Sequence, residues 1–319
     1  MLIESFHSFA QKYEFIPMPG YTHTQKAMPS SIGMWAGAFT ESFLDDLIGL
    51  KSAYKLNNKS PLWSAAGYGV PLTLDREFAA KLLGFNELQI NSLYAQNSRG
   101  KIEAMVIAAI NSILLGINKF ATDVILFSSS EFGYFKVAEK LLSGSTIMPQ
   151  KKNVDCAELL RSKVHTTLGN YSQVVSLSSN LMSGYNRDLQ DIKKPLMESL
   201  ETAQDCIKVA NILINNLTPI KQKLTDALSS EIYATHKSLE FVKQGMSFRT
   251  AYQKVGANLS KLNSKNLEDY LTLSTHIGGT GNLGLNTHLA QLKHEKEIHI
   301  EENNAFQKAI NNLTKNYEK

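Results

Sequence analysis

Three long runs poor in proline limit what this chain can fold into. Residues 99–128 and 155–181 contain no proline, and a third run from Gln190 to Leu224 opens with Pro195 inside its first turns. Each would exceed by more than twofold the roughly 11 to 12 residues of an average globular helix. Rods of that length bury their apolar faces against one another, so a bundle of long helices is the expected architecture. Two earlier segments fit the same scheme: Leu2, Phe6, Phe9 and Tyr13 recur at helical spacing, as do Ile32, Trp35, Phe39, Phe43, Leu47 and Leu50. No sustained alternation of β-branched residues appears, which argues against a parallel sheet, and the fold class read from the pattern is all-α.

The most apolar stretch, AMVIAAINSILLGINKF at residues 104–120, is interrupted by Asn111, Ser112, Asn118 and Lys119. It reads as a buried bundle helix rather than a membrane span, and no membrane partner is expected. The row Ile102, Val106, Ile110 and Ile113 offers more apolar surface than one subunit's helices would cover, so neighbouring subunits are expected against it. Near Ser229 the composition changes, and SLEFVKQGMSFRTAYQKVGANL reads as a short helical hairpin broken at Gly245. The expected division is a long-helix domain over residues 1–226 and a smaller helical domain over 227–319.

Charge and cysteine content narrow the function classes. The 33 Lys and Arg against 29 Asp and Glu leave a net charge of +4, dispersed along the chain, so a nucleic-acid partner is not expected. Cys156 and Cys206 form neither a disulfide framework nor a metal-ligand spacing, which fits a reducing cytoplasm. The N-terminal MLIESFHSFAQKYEF carries Glu4 and lacks a basic region followed by an apolar core, so it does not read as a secretory signal.

Reactive side chains collect in the loops between the rods: IPMPGYTHTQKAMPSS (residues 16–31), SPLWSAAGYGVPLTLDRE (60–77), GSTIMPQKKN (144–153) and SGYNRDLQDIKK (183–194). In the third of these, Asp155 and Glu158 have the spacing of a capping box and predict a helix starting just after Asn153. The N–H groups at that helix start, with Lys151 and Lys152, would favour an anion, and Gly144 lets the loop bring Ser145 over it. Without its neighbours, this segment would read as a surface turn with solubilising lysines.

GSTIMPQKKNVDCAELLRSK resembles the signature loop of the fumarase/aspartase superfamily of lyases, and its Gln-Lys-Lys version resembles the argininosuccinate lyase family within it. MPGYTHTQKAMPSS, SPLWSAAGYGVPLTLDREFAAKLLGF, SGYNRDLQDIKKPL and FVKQGMSFRTAYQKVG resemble four further segments of that family, so the likeness spans most of the chain. It implies a long-helix bundle with a small C-terminal helical domain, assembled as a homotetramer whose active sites take loops from more than one subunit. The implied reaction is elimination of arginine from argininosuccinate to leave fumarate, a step of arginine biosynthesis that uses neither metal nor organic cofactor.

The same resemblance implies roles for residues at matching positions. Ser145 matches the base that removes a proton next to a carboxylate, and Lys151 and Asn153 match groups that stabilise the resulting aci-carboxylate. His23 matches a histidine assigned to acid or base work, and Glu158 a carboxylate that orients its ring across a subunit boundary. Thr22, Gln25, Tyr185, Gln190 and Lys193 match positions that hold substrate. Whether Ser145 or His23 is the base stays open, because serine is a weak base unless its alkoxide is stabilised.

The departures from the family pattern are specific. The family's N-terminal domain, with a Ser-Arg-Asn-Asp segment, precedes the first motif, and the Leu2–Tyr13 helix reads as the tail of that domain's long rod. Tyr94 stands where many relatives carry aspartate, and Val154 where proline usually follows the motif asparagine. Beside the lyase reading stand a catalytically silent homologue or assembly protein, and a fragment active only with a separately encoded N-terminal half. Another lyase of the superfamily, acting on adenylosuccinate or aspartate, is disfavoured by Gln150-Lys151-Lys152.

Overall fold

The computed structural model describes residues 1–259, 262 and 267–315. In chain order the first half comprises α1 (Leu2–Lys12), β1 (Pro17–Thr22), β2 (Gln25–Ser31), α2 (Ile32–Asn57), β3 (Lys59–Ser60), α3 (Arg76–Leu82), β4 (Glu87–Leu88), α4 (Ser92–Asn97) and α5 (Lys101–Phe127). There follow β5 (Phe135–Val137), β6 (Ser143–Gly144), β7 (Lys152–Asn153), α6 (Asp155–Leu177), α7 (Lys193–Asn215), β8 (Leu217–Pro219), α8 (Lys221–Asp226), α9 (Ala234–Lys243), α10 (Phe248–Gly256), α11 (Leu267–Leu271) and α12 (Leu285–Lys315). Helices dominate, and the strands among the described residues form two-stranded pairs only: β1–β2, β5–β8 and β6–β7 antiparallel, β3–β4 parallel.

The chain divides into two compact units, each drawn from three stretches of sequence. The first consists of Met1–Ser42, Phe120–Glu158 and Val209–Leu289. Its centre is aromatic, with the fully buried Phe6 of α1 lying 5.3 Å from Phe39 and 4.8 Å edge-on from Phe120. Trp35 stacks obliquely on Phe135 at 5.1 Å and satisfies its indole N–H by donating to Asp123 Oδ2 at 2.9 Å. Such pairs add about 0.5–1.5 kcal/mol each beyond the area they bury, which makes α1 integral to this core.

The second unit consists of Phe43–Lys119, Leu159–Lys208 and Ala290–Lys319. Ile107 of α5, Val174 of α6, Leu189 and Ile192 form its central cluster, lined by Ala104, Leu177, Leu181 and Leu196. Ser112 Oγ donates to Asp46 Oδ1 at 2.5 Å, while burial pushes the Asp46 carboxyl above its ordinary range. By length and composition α5 is apolar enough to cross a membrane, yet its Ile107, Ile110, Leu114 and Ile117 are buried within the chain.

Two sequence expectations need correction. The run from Gln190 to Leu224 is not one rod: α7 stops at Asn215 and the chain then pairs Leu217–Pro219 with Phe135–Val137. Pro219 is the reason, since it lacks the N–H an inner helical turn needs and its ring crowds the preceding turn. Residues 16–31 were expected as a loop and instead form the β1–β2 hairpin, with Pro17 opposite Ser31, Pro19 opposite Pro29 and an irregularity before Tyr21. Prolines are tolerated there because the ribbon has only two strands and each has a free edge. The expected helical hairpin broken at Gly245 is present as α9 and α10.

Candidate active site

Pairing of Ser143 with Asn153 and of Gly144 with Lys152 makes β6 and β7 the stem of a hairpin whose tip spans residues 145–151. At the tip Ser145 Oγ accepts the backbone N–H of Met148 at 3.1 Å and of Ile147 at 3.4 Å. The Lys151 N–H closes the turn on the Met148 carbonyl at 3.0 Å. A serine oxygen facing two amides is arranged to carry negative charge, because fixed dipoles stabilise it without reorganising.

The two adjacent lysines have different environments. Lys152 pairs with Glu139 at 2.5 Å and holds that carboxyl below its usual range, whereas Lys151 is exposed and makes no ion pair among the described residues. Lys151 is therefore the cation the loop can offer to a ligand. The helix start lies where the sequence predicts it, with the Val154 carbonyl accepting from Ala157 and Glu158, but Asp155 does not act as a cap. It is engaged instead by Ser143, whose Oγ donates to Asp155 Oδ2 at 2.5 Å and ties the stem to α6. Glu158 is exposed in the first turn of α6.

The β1–β2 hairpin carries Thr22, His23 and Gln25 at its tip. Thr22 and Gln25 are the last paired residues, and His23 and Thr24 both adopt positive φ, 51° and 61°. That is the backbone of a type I′ turn, which normally takes Asn-Gly. A β-branched Thr24 in this region costs on the order of 1–3 kcal/mol, partly offset by its hydroxyl donating to the His23 carbonyl at 2.6 Å. His23 is held outward and exposed.

Below the tip the hairpin is anchored by Tyr21, whose hydroxyl lies 2.6 Å from that of the buried Tyr134. Burial, reinforced by the bond to Tyr21, pushes the Tyr134 phenol far above its ordinary range, so Tyr134 is a neutral structural anchor for the hairpin. A cleft of about 670 Å³ opens beside it, lined by Gln25, Lys26, Tyr134, Lys223 and Glu231 among others.

Tyr185, Gln190 and Lys193 belong to the second unit. Gln190 Nε2 donates to the Tyr185 hydroxyl at 3.3 Å, and Lys193 is exposed at the start of α7. The ten residues singled out in the sequence thus fall into three groups: Ser145, Lys151, Asn153 and Glu158; Thr22, His23 and Gln25; Tyr185, Gln190 and Lys193. Among the described residues no hydrogen bond or ion pair joins His23 to Glu158 or to Ser145. Nor do any three His, Cys, Asp or Glu side chains lie together as a metal cage would require, again among the described residues. Sequence reasoning gave no part to Tyr21 or the strained Thr24, although both lie within MPGYTHTQKAMPSS, nor to Tyr134, which no motif marks. The stretch NSLYAQNSRGK resembles a bacterial branch of the family, but the sequence assigned no role to Asn97 or Arg99 within it.

The fold is shared with solved lyase structures. It superposes on EDDS lyase in complex with formate with a TM-score of 0.88 at 18% identity, covering 98% of this chain and 71% of that one. Class II fumarase from Schistosoma mansoni gives 0.68 at 17% identity, over 82% of this chain and 64% of the other. These likenesses define an α-helical protein of the fumarase/aspartase fold.

Residues 1–169 match the model of the family described as Lyase, and the chain belongs to that family. Among its relatives it is 42% identical over 254 residues to argininosuccinate lyase of Thermotoga neapolitana, an alignment covering 80% of this chain and 64% of the relative. It is 40% identical over 276 residues to argininosuccinate lyase of Phocaeicola vulgatus, covering 86% and 61%. The chain spans about three-fifths of the length of these curated relatives.

Proposed function

We propose that this chain carries the chemistry of an argininosuccinate lyase, cleaving argininosuccinate to arginine and fumarate in a cytoplasmic step of arginine biosynthesis. The observation that carries the reading is the Ser145 turn, in a chain about 40% identical to argininosuccinate lyases. Elimination begins when a base removes the proton on the carbon next to a carboxylate, leaving two negative charges on that carboxylate. The electron pair then expels the nitrogen from the neighbouring carbon, forming the carbon–carbon double bond of fumarate, and the departing guanidine nitrogen takes up a proton.

Ser145 is the favoured base, since the Met148 and Ile147 amides stabilise its alkoxide and the unpaired Lys151 ammonium adds full charge. Lys151 and Asn153 would then hold the aci-carboxylate, and His23 would protonate the leaving nitrogen or assist the base, with Glu158 orienting its ring. Thr22, Gln25, Tyr185, Gln190 and Lys193 would hold the substrate. Three groups of residues that no hydrogen bond joins among the described residues fit a homotetramer in which each site draws loops from different subunits. No metal or organic cofactor is assigned a part.

The second reading is a homologue that is silent alone, or active only with a separate N-terminal half. The discriminating experiment measures fumarate release from argininosuccinate, adenylosuccinate and aspartate, with the chain alone and with the N-terminal portion of a relative added. Release from argininosuccinate only supports the proposal. No release in either preparation favours the silent homologue, and release from another substrate replaces the assignment.

A further inference from the structure

The loop from Ser178 to Gln190 is gripped on one side by the four residues that lead into α5. The Gly184 N–H donates to Asn97 Oδ1 at 2.8 Å. Arg99 Nη2 donates to the Leu189 carbonyl at 3.2 Å, and the same guanidinium lies over the Tyr185 ring with its carbon 5.5 Å from the centroid. Gly100, at φ +83°, packs so closely that an added Cβ would overlap Ser178 Oγ and sit 2.8 Å from Ser178 Cβ. Arg99 is half-buried and makes no ion pair among the described residues, so its charge is met by a carbonyl and a ring face. Between these parts lies a small polar cleft of about 220 Å³, lined by Asn97, Arg99, Ser183 and Asn186 among others.

We propose that Arg99 is a positioning residue that sets the Tyr185 ring and, through the Tyr185 hydroxyl, the Gln190 amide for substrate binding. The inference rests on the reading that Tyr185 and Gln190 hold substrate. A guanidinium suits the task because its flat face covers a ring while an edge N–H reaches a carbonyl. A lysine can supply the charge but not both contacts at once. The chain of contacts runs from Leu189 to Arg99, to the Tyr185 ring, and from its hydroxyl to Gln190 Nε2, all within residues of the second unit. Asn97 supports it by fixing the Gly184 amide, at the one residue before Tyr185.

The test uses the full chain with Arg99→Lys, Tyr185→Ala and the double variant, and Arg99→Ala as a more severe change. Hydrogen exchange should rise about fivefold or more over residues 183–190 in Arg99→Lys and stay unchanged in α7, as local loosening requires. The argininosuccinate KM should rise about tenfold with kcat within about twofold, because binding rather than chemistry is disturbed. In the Tyr185→Ala background the further change to lysine should add almost nothing, since the two residues act as one unit. Unchanged exchange over 183–190, or an equal KM penalty with and without Tyr185, overturns the proposal, as does exchange that rises equally in α7. If the wild-type chain cleaves no argininosuccinate, the assigned reaction fails while the exchange measurement still decides for or against the clamp.

Discussion

Ser145 and His236 show how differently two polar side chains are used in the first unit. Ser145 is half-buried and its Oγ receives two amides, a setting that would stabilise negative charge on the oxygen. His236 of α9 is buried against the Tyr270 ring at 5.5 Å, and its Nδ1 has no hydrogen-bond partner. Burial lowers its pKa below the ordinary 6.5, with Glu240 pulling weakly the other way. The folded state therefore binds the proton less readily than the unfolded chain. Its contribution to stability is complete above about pH 6.5 and is lost as the pH falls through the unfolded value toward the folded one. Urea unfolding of wild type and His236→Phe between pH 7.5 and 5, values chosen at about one unit or more to either side of the histidine range, should show a steeper acid loss in wild type. Parallel curves would contradict this. Ser145 was legible because it sits in a motif with Gly144 and two lysines; His236 was not, because a histidine on a helical face carries no sign of whether its ring nitrogens find partners.

Local backbone demands explain most of the differences between expected and observed elements. The starts of α2, α6 and α9–α10 follow apolar spacing and turn residues that are plain in the sequence. The end of α7 turned on Pro219, a single residue within an otherwise helical pattern. The β1–β2 hairpin was hidden because Pro17, Pro19 and Pro29 occupy paired positions and its turn is His-Thr rather than Asn-Gly. The junction of α4 and α5 makes a sharper demand. Gly100 combines positive φ with direct contact to Ser178, so Gly100→Ala should lower stability by about 1–3 kcal/mol, read from the urea midpoint. Adding Ser178→Gly should recover the steric part and leave the backbone part. A Gly100→Ala variant as stable as wild type would show that the junction relaxes freely.

At the scale of the whole molecule, the apolar surface left on the chain is what a partner subunit would cover. The sequence pointed to Ile102, Val106, Ile110 and Ile113 as the uncovered row, but Ile110 and Ile113 are buried within the chain itself. The exposed stripe is instead Leu168, Tyr171 and Val175 on α6, one helical face 37–42% exposed at each residue. Sequence periodicity finds a second apolar face without saying which neighbour covers it, and that accounts for the misplacement. With the proposed homotetramer, Leu168→Glu with Tyr171→Glu should shift light-scattering mass from tetramer toward smaller species; a wild-type chain that is monomeric at high concentration would remove the proposal.

The lyase fold and family follow from long rods and signature loops that are plain in the sequence, whereas the two amides on Ser145 Oγ and the pairing of Lys152 but not Lys151 appear only in three dimensions. The central claim is that the Ser145 turn performs the proton abstraction, and it is tested by steady-state fumarate release from argininosuccinate. Ser145→Ala should lower kcat by about 10²–10⁴, the range for loss of a positioned acid or base, with KM and assembly retained. Ser143→Ala, on the same hairpin but bonded to Asp155, should stay within about threefold of wild type as the control for loop integrity. A Ser145→Ala chain as active as the Ser143→Ala chain would contradict the account and move the base to His23.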